Sequence, residues 1–220
     1  MISILMPIYN GIEFINDSVG SILNQTYTKW ELIIGINGHN QDSDVYKRAK
    51  EYENKSNKIK VYDLYTIKGK SNALNEMIKL CNYEYVAILD VDDIWFPKKL
   101  DEQIPYIEKY DVVGTKCIYF ENSNHVLIIP TGDLHNFDFK KFNPIINSSS
   151  IIKKELCYWD SKEDGVEDYD MWLRLKMDGK KFYNCDKILV KHRIHKNSSY
   201  NAKGNHNQVE SLLKKYSNLK

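Results

Sequence analysis

The chain has 220 residues, of which 42% are hydrophobic and 28% charged, with 31 lysines and arginines against 30 aspartates and glutamates. This is the composition of a globular domain, and it excludes a wholly disordered chain. The near-neutral charge argues against nucleic-acid binding driven by bulk charge, and a chain of this length buries enough core to need no disulfides.

The first hundred residues alternate between strand patterns and helix patterns. Short apolar runs predict strands buried on both faces at 2–6, 30–36, 59–64 and 85–89. Apolar residues at helical spacing follow the first run and Gly69, and a further helix is expected after Pro97, since proline suits a first helical turn. This alternation predicts an α/β domain with a mostly parallel sheet and right-handed crossovers.

The second half of the chain is less regular. Residues 112–120 and 126–129 predict two strands of an antiparallel hairpin. Further patterns predict a helix at 168–177, a strand at 187–194 and a short terminal helix at 210–219. We therefore expect a smaller antiparallel sheet in this half.

The cysteines and the N-terminus bear on the compartment. The four cysteines form no C-x-x-C pair and match no zinc-site spacing, which is typical of free thiols in a reducing cytosol. The apolar start, residues 1–6, is too short to span a bilayer, which takes about 20 residues, and it lacks the basic segment of a signal peptide. We therefore expect a cytoplasmic protein.

A cluster of three carboxylates, Asp90, Asp92 and Asp93, directly follows the predicted strand 85–89. Ligands of open α/β sheets bind beyond the carboxyl ends of strands. Three carboxylates within four residues repel one another unless a cation lies between them, and oxygen ligands suit Mg²⁺ or Mn²⁺. The alternative is an acidic loop that caps the helix after Pro97.

Two further clusters carry charged side chains. Glu167 and Asp168 precede an amphipathic helix pattern, where a carboxylate is able to take a proton from a hydroxyl; the alternative is that acids favour helix N-termini. At the end of the last predicted strand, alternation places Arg193 and His195 on one face and His192 on the other. Arginine binds phosphate and histidine binds metals or phosphate, whereas the alternative is an exposed basic strand end.

Seven segments, in this order along the chain, resemble the family 2 glycosyltransferases with a GT-A fold. They are residues 3–10 with P-x-Y-N, 21–27 with S-I-L-x-Q-T, 31–34, 69–75 with G-x-x-x-A-x-N, 89–100 with D-x-D-D-x-W-x-P-x-K-L, 167–175 with E-D-x-x-x-W-L-R-L, and 193–198 with R-x-H-x-x-S. The resemblance covers nearly the whole chain, and the order of the segments makes it specific.

The resemblance implies a nucleotide-diphospho-sugar donor, a divalent cation (Mn²⁺ or Mg²⁺) and inversion at the anomeric carbon of the sugar. Carried over position by position, it implies that Asp168 is the catalytic base, with Glu167 near the donor or acceptor hydroxyls. The implied metal ligands are Asp92, Asp90 and His195. The implied donor-binding residues are Pro7, Tyr9, Asn37, Asn72, Asp90, Val91, Asp92 and Arg193. The implied organisation is a single GT-A domain over 1–200, with a nucleotide-binding half at 1–100 and an acceptor-binding half at 101–200, then a tail with a short helix at 201–220.

One departure from the family concerns the nucleobase. The family usually has Asp-Asp-Gly-Ser after the second strand, and the second Asp contacts uracil, whereas this chain has Asn37 followed by Gly38 and His39. An asparagine carbonyl accepts a hydrogen bond from uracil N3–H, and its amide also donates. UDP is therefore the expected donor nucleotide, and a different base stays open.

The acceptor is expected along residues 133–150, and it is a sugar, a lipid-linked molecule or a protein. We expect transfer of one sugar and no nucleic-acid partner. Peripheral membrane association is compatible with the sequence. Two alternatives stay open. A nucleotidyltransferase typically needs a glycine-rich and basic triphosphate loop, which residues 7–11 do not match. For a catalytically inactive sugar-nucleotide-binding protein, the presence of Asp92 and Asp168 argues against it and the altered loop at Asn37 argues for it.

Overall fold

The computed structural model of the protein describes residues 1–195 and 205–217. Within these ranges the strands are β1 Ile2–Ile8, β2 Trp30–Asn37, β3 Ile59–Leu64, β4 Tyr85–Ile88, β5 Ile94–Trp95, β6 Val112–Glu121, β7 Gly132–Asp133, β8 Ile151–Lys153 and β9 Phe182–Ile194. The α-helices are α1 Ile15–Leu23, α2 Asp44–Lys50, α3 Lys70–Lys79, α4 Lys99–Gln103, α5 Glu167–Met177 and α6 Asn205–Ser217.

The strands form one sheet in the order β3-β2-β1-β4-β8-β6-β9-β5, with β7 paired to β9. The first four strands pair in parallel, as β-α-β crossovers require. Strand β8 lies antiparallel between β4 and β6, and β9 runs parallel to β6. The predicted α/β fold class with a mostly parallel sheet is confirmed. The antiparallel strands of the second half continue this sheet, because β8 joins the two halves, and do not form a separate smaller one.

The central strands are buried on both faces, as their continuous apolar runs predicted. All seven residues of β1 are buried. Ile4 and Met6 point into one core and Leu5 into the other, so the sheet is covered on both sides. Helix α3 approaches β2 so closely that a Cβ on Gly35 would lie 2.6 Å from the Met77 sulfur. A side chain at this point of β2 would therefore force the side chains of Met77 and Leu64 to move.

Two of the family-like segments hold each other through side chains. Gln25 Nε2 donates to the carbonyl of Phe96 at 2.9 Å, and Gln25 Oε1 accepts from the backbone N–H of Leu100 at 3.1 Å. Ser21 Oγ accepts from the backbone N–H of Trp95 at 3.1 Å, and the indole of Trp95 is buried. These contacts anchor α1 to the segment that follows the acidic turn, so they fix where the turn lies.

The predicted hairpin is wrong in its second strand. Residues 126–129 do not form a strand, and only Val126 makes an antiparallel bridge, to Ile118. The backbone N–H of Leu127 still donates to the carbonyl of Cys117 at 3.2 Å, but Ile128 is 91% exposed and pairs with none of the strands that the structure describes. Strand β5 was not predicted, since it has only two residues.

The terminal helix α6 begins earlier than the predicted position 210. It packs on α5 through the buried Leu212 and Tyr216, and the Tyr216 hydroxyl donates to Asp170 Oδ1 at 2.7 Å. The remainder of the predicted tail, and residues 196–198 of the last family-like segment, lie outside the described residues. None of the helices in the described ranges combines the length and the hydropathy that crossing a bilayer needs.

Candidate active site

An open cleft of about 1150 Å³ lies beyond the carboxyl ends of β1, β2 and β4. Parallel α/β sheets bind ligands at this edge, because the loops after the strands diverge there. The cleft is bounded by the loops after these strands, by the loop before α3 and by the end of β9. Of the residues predicted from the sequence, the cleft is lined by Pro7, Tyr9, Asn37, Asp90, Val91, Asp92 and His195.

Tyr9 and Asn37 line one end of the cleft, and His39 lies against Tyr9. Tyr9 is 57% exposed, and its ring centroid lies 5.5 Å from that of His39, whose Nε2 is 2.5 Å from the Tyr9 carbonyl oxygen. Asn37 is only 4% exposed, yet its side-chain amide makes no hydrogen bond to any residue in the described part of the chain. A buried amide beside an exposed aromatic ring suits a planar, polar group, since it offers both a donor and an acceptor.

Asp90, directly beyond β4, is held by three protein groups. Lys70 Nζ lies 2.8 Å from Asp90 Oδ1, and Asn147 Nδ2 donates to Asp90 Oδ2 at 3.0 Å. The backbone N–H of Asp90 donates to Ser148 Oγ at 3.1 Å. Burial raises the pKa of Asp90, but Lys70 and Asn147 outweigh burial and hold this pKa below its usual value. Asp90 is therefore a carboxylate whose two oxygens are both engaged by the protein.

Asp92 and His195 are the pair best suited to hold a divalent cation. Asp92 Oδ2 lies 3.0 Å from His195 Nε2, and both side chains line the cleft. Burial and the carboxylates of Asp93 and Asp90 raise the pKa of Asp92 to about 6, against the opposing effects of His195 and His192. In residues 1–195 and 205–217, no three His, Cys, Asp or Glu side chains converge as metal ligands. Mg²⁺ is commonly bound by one or two carboxylates together with phosphate oxygens, so this donor set fits a cation completed by a phosphate-bearing ligand.

His192 also lines the cleft, although strand alternation placed it on the face opposite Arg193 and His195. Its Nδ1 lies 3.0 Å from Oδ2 of the buried Asp93. The predicted arrangement is wrong, since His192 and His195 line the same cleft and Arg193 does not. The reason is that β9 ends at Ile194, so His195 no longer follows the alternation of the strand.

Arg193 lies behind the acidic turn. Its guanidinium pairs with Asp17 and Glu121, and its Nε donates to the carbonyl of Asp92 at 2.8 Å. The side chain is only 5% exposed. Arg193 is thus placed to fix the backbone of the turn from the inside of the protein, and this position favours an indirect role in donor binding.

Glu167 and Asp168 begin α5, on the far side of Lys70 from Asp90. Lys70 Nζ lies 3.3 Å from Glu167 Oε1, and Asn143 Nδ2 donates to Asp168 Oδ2 at 3.1 Å. Burial and Glu167 raise the pKa of Asp168 to about 6, against the opposing effects of Lys70 and Asn143. Burial lowers the pKa of Lys70, but Asp90 and Glu167 raise it well above the ordinary value, so Lys70 is a cation. Asp168 is therefore a carboxylate that is able to accept a proton near neutral pH.

The start of α3 is tied to the loop before α5. Asp164 Oδ1 accepts from the backbone N–H of Ser71 at 2.9 Å and also from its hydroxyl. Gly69 has a φ of 84°, and a side chain there would collide with the Asp164 carboxylate. Lys70 is consequently held at a fixed place between the acidic turn and α5.

Asn72 is exposed on α3 and does not line the cleft. Sequence reasoning missed the roles of Lys70, His192, Asn143 and Asn147, which contact the predicted acidic residues. Lys70 lies inside a family-like segment and His192 directly precedes one, but the sequence does not indicate which acidic side chains these residues contact. The structure thus adds two cations and two amides to the predicted set of carboxylates.

Comparisons with known proteins agree with this geometry. The model of the family "Glycosyl transferase family 2" matches residues 3–204. The chain is 32% identical over 212 residues to the O-antigen biosynthesis glycosyltransferase WbnJ of Escherichia coli, covering 90% of this chain and 82% of that protein.

Solved structures share the fold. S. aureus TarS in complex with UDP-GlcNAc has a TM-score of 0.78 at 17% identity, covering 98% of this chain and 66% of TarS. The mannosyltransferase PcManGT of Pyrobaculum calidifontis, in complex with GDP-Man and Mn²⁺, has a TM-score of 0.75 at 14% identity, covering 98% of this chain and 63% of that one. This chain therefore spans about two thirds of each structure, and the likeness confirms the expected GT-A fold.

Proposed function

The chain belongs to glycosyl transferase family 2, and on that premise we propose that it transfers one sugar from a nucleotide-diphospho-sugar to an acceptor hydroxyl, with inversion at the anomeric carbon. One observation carries the proposal. Lys70 bridges Asp90, on the cleft wall, to Glu167, the neighbour of Asp168, so a cleft for the nucleotide and a candidate base form one site. In this proposal residues 1–100 bind the nucleotide and residues 101–200 bind the acceptor.

The nucleobase is proposed to bind between Tyr9 and Asn37. The exposed Tyr9 ring offers a stacking surface, and the buried Asn37 amide offers an acceptor for uracil N3–H and a donor for a ring carbonyl. TarS binds UDP-GlcNAc and PcManGT binds GDP-Man, so proteins with this fold take different bases. UDP is the favoured nucleotide because the Asn37 carbonyl replaces the carboxylate acceptor that the family usually has at this position.

A divalent cation, Mn²⁺ or Mg²⁺, is proposed to bind at Asp92 and His195, with Asp90 as the neighbouring carboxylate. When bound, it would supply positive charge for the diphosphate that leaves. PcManGT, which has this fold, binds Mn²⁺. The raised pKa of Asp92 supports the assignment, because a cation beside this carboxylate would offset the charge of Asp90 and Asp93.

Asp168 is proposed as the base. The acceptor hydroxyl oxygen attacks the anomeric carbon and gives its proton to the Asp168 carboxylate. The bond between the anomeric carbon and the diphosphate oxygen breaks on the opposite face, and its electron pair leaves with the nucleoside diphosphate. One base is sufficient for a single displacement with inversion, and no covalent intermediate is needed. Asn143 orients the Asp168 carboxylate, and Glu167 is paired with Lys70 beside it.

The acceptor is proposed to bind along residues 133–150, since Asn143 in this segment contacts the proposed base. WbnJ is named for O-antigen biosynthesis, which favours a growing glycan as the acceptor, either free or lipid-linked. A protein acceptor and peripheral membrane association are compatible with the same site. The cytoplasm is the proposed location, supported by four free cysteines.

Thermal shift with a nucleotide panel tests the proposal. UDP, GDP, CDP and dTDP are added with Mn²⁺, with Mg²⁺ or with EDTA, and the melting temperature is compared with that of the protein alone. We expect at least one nucleoside diphosphate to raise the melting temperature, by more with metal than with EDTA. A folded protein that no nucleotide stabilises would contradict the proposal. The corresponding nucleoside triphosphates are added in a parallel series, and stabilisation by the triphosphates alone would favour a nucleotidyltransferase.

A further inference from the structure

His192 is a cleft residue to which the proposed mechanism gives no role. Its side chain is 26% exposed, whereas that of its partner Asp93 is only 1% exposed. The cleft wall that it shares with Asp92 and His195 is where the diphosphate of the donor is proposed to lie. The position alone makes His192 accessible to a bound donor.

The ring of His192 is fixed through one of its two nitrogens. Its Nδ1 lies 3.0 Å from Asp93 Oδ2, and Asp93 Oδ1 accepts the backbone N–H of Arg193 at 3.0 Å. The carboxylate is therefore held by both oxygens and orients the imidazole. The Nε2 atom, on the other side of the ring, makes no hydrogen bond to any residue that the structure describes. A histidine held in this way presents one N–H to whatever occupies the cleft.

The charge of His192 suits an anionic ligand. Burial lowers the pKa of His192, but Asp93, with smaller effects of Asp92 and Asp90, raises it to about 9. The imidazole is then protonated at neutral pH, and both ring nitrogens are donors. Asp93 compensates the charge on the Nδ1 side, so the Nε2–H remains as a charged donor at the cleft.

We propose that His192 is a donor-binding residue whose Nε2–H donates a hydrogen bond to a phosphate oxygen of the diphosphate. The inference rests on the proposed function. During transfer the electron pair of the broken bond leaves with the diphosphate, and the His192 N–H stabilises the negative charge that develops there. No proton moves at His192, which distinguishes its role from that of Asp168.

Two variants of His192 separate the contact with the diphosphate from the contact with Asp93. In His192→Asn the amide nitrogen replaces Nδ1 and keeps the hydrogen bond to Asp93, but nothing replaces Nε2. In His192→Gln the amide nitrogen reaches the position of Nε2. His125→Gln is a matched control, because His125 lies against the same Tyr119 ring as His192 but does not line the cleft.

Calorimetry measures the affinity of each variant for the nucleoside diphosphate that stabilises the wild type and for the corresponding nucleoside, with Mn²⁺ and with EDTA. A charge-assisted hydrogen bond predicts that His192→Asn loses about 10- to 100-fold in diphosphate affinity and keeps its nucleoside affinity. His192→Gln should lose less, and His125→Gln should match the wild type. In ¹⁵N-labelled wild-type protein, the Nε2 resonance of His192 should shift when the diphosphate is added and not when the nucleoside is added.

Unchanged diphosphate affinity in His192→Asn, or an equal loss for nucleoside and diphosphate, would overturn the inference. An Nε2 resonance that does not respond to the diphosphate would also overturn it, and this measurement needs no variant to fold. If the wild type transfers sugar but His192→Asn binds the diphosphate normally, only the inference fails. If the wild type binds no nucleoside diphosphate, the proposed function fails with it.

Discussion

Replacement of Asp168 by asparagine is expected to stop sugar transfer while the donor still binds. The variant keeps the shape of the side chain, and its carbonyl oxygen still accepts from Asn143 Nδ2, which lies 3.1 Å from Asp168 Oδ2. What it loses is the ability to take the proton of the acceptor hydroxyl. General-base catalysis contributes about 10²- to 10⁴-fold, so kcat should fall by that factor, whereas donor affinity should change by less than about threefold.

The pH dependence of the wild type gives a second magnitude. The pKa of Asp168 is raised to about 6, and the ionised form is the active one, so activity is lost as the pH falls through this value. At that pKa the carboxylate fraction is about 0.9 at pH 7 and about 0.1 at pH 5, which predicts a roughly tenfold loss of kcat/KM between the two. Because burial and Glu167 raise the pKa of Asp168 in the folded protein, its ionised form lowers the stability of the fold at pH 7. The neutral Asp168→Asn variant should therefore have a melting temperature no lower than that of the wild type.

The assay follows transfer to acceptor from pH 5 to pH 8 at limiting and at saturating donor, so that kcat/KM and kcat are both obtained, and donor affinity is measured separately by calorimetry. Asp178→Asn serves as a control, because Asp178 is exposed at the other end of the same helix. Transfer by Asp168→Asn within tenfold of the wild-type rate would refute the assignment of the base. So would a wild-type rate that is flat between pH 5 and pH 7.

Three further perturbations test the other parts of the site. Asn37→Ala should weaken binding of the preferred nucleoside about tenfold in calorimetry, while Gln41→Ala, an exposed polar change in the same loop, should not; equal affinities would remove Asn37 from the nucleobase site. Lys70 lowers the pKa of Asp168, so Lys70→Met should move the acid limb of the pH–rate profile to higher pH, and Lys70→Arg should keep the limb at its wild-type position. An unchanged acid limb in Lys70→Met would show that Lys70 does not influence the pKa of Asp168. Asp92→Asn should abolish the extra thermal stabilisation that Mn²⁺ gives to the nucleotide complex, and a persisting metal effect would exclude Asp92 as a ligand.

Much of the fold could be predicted because the central strands are buried on both faces. Continuous apolar runs located four strands, and β3 has the bounds that its run predicted. Strand β1 extends beyond the proline that was expected to end it. Its pairing with β4 stops at Leu5, while its pairing with β2 continues through Pro7, so Pro7 lies where one neighbouring strand has already ended. Such an interruption depends on the length of another strand and does not appear in the local pattern.

The candidate site was predictable in its acidic residues and not in their partners. Asp92 and Asp168 stand out because carboxylates at a strand end and at a helix start suggest chemistry. Their neighbours come from distant parts of the chain. The contact of Asp93 with His192 spans 99 residues, and the contact between the starts of α3 and α5, through Ser71 and Asp164, spans 93. Periodicity does not reveal contacts of this length, and they determine which carboxylates are neutralised.

At residues 193–195 the sequence motif was recognised, but the position of its arginine was not predicted. The motif is present, but the structure places the Arg193 guanidinium against Asp17 and Glu121 and away from the cleft. From the sequence, Arg193 and His192 are equally good candidates to bind an anion in the cleft. Their burial in the fold distinguishes the two. His192 retains access to the cleft, whereas Arg193 supports the backbone of Asp92.

Donor turnover measures whether the protein transfers a sugar from a nucleotide donor. The protein is incubated with Mn²⁺ and a panel of UDP-, GDP-, CDP- and dTDP-sugars, and release of nucleoside diphosphate is measured for the wild type and for Asp168→Asn. We expect the wild type to release nucleoside diphosphate from at least one donor, most readily a UDP-sugar, and Asp168→Asn to release far less. No release from any donor by a folded protein that binds nucleoside diphosphates would contradict this expectation and favour the inactive binding protein.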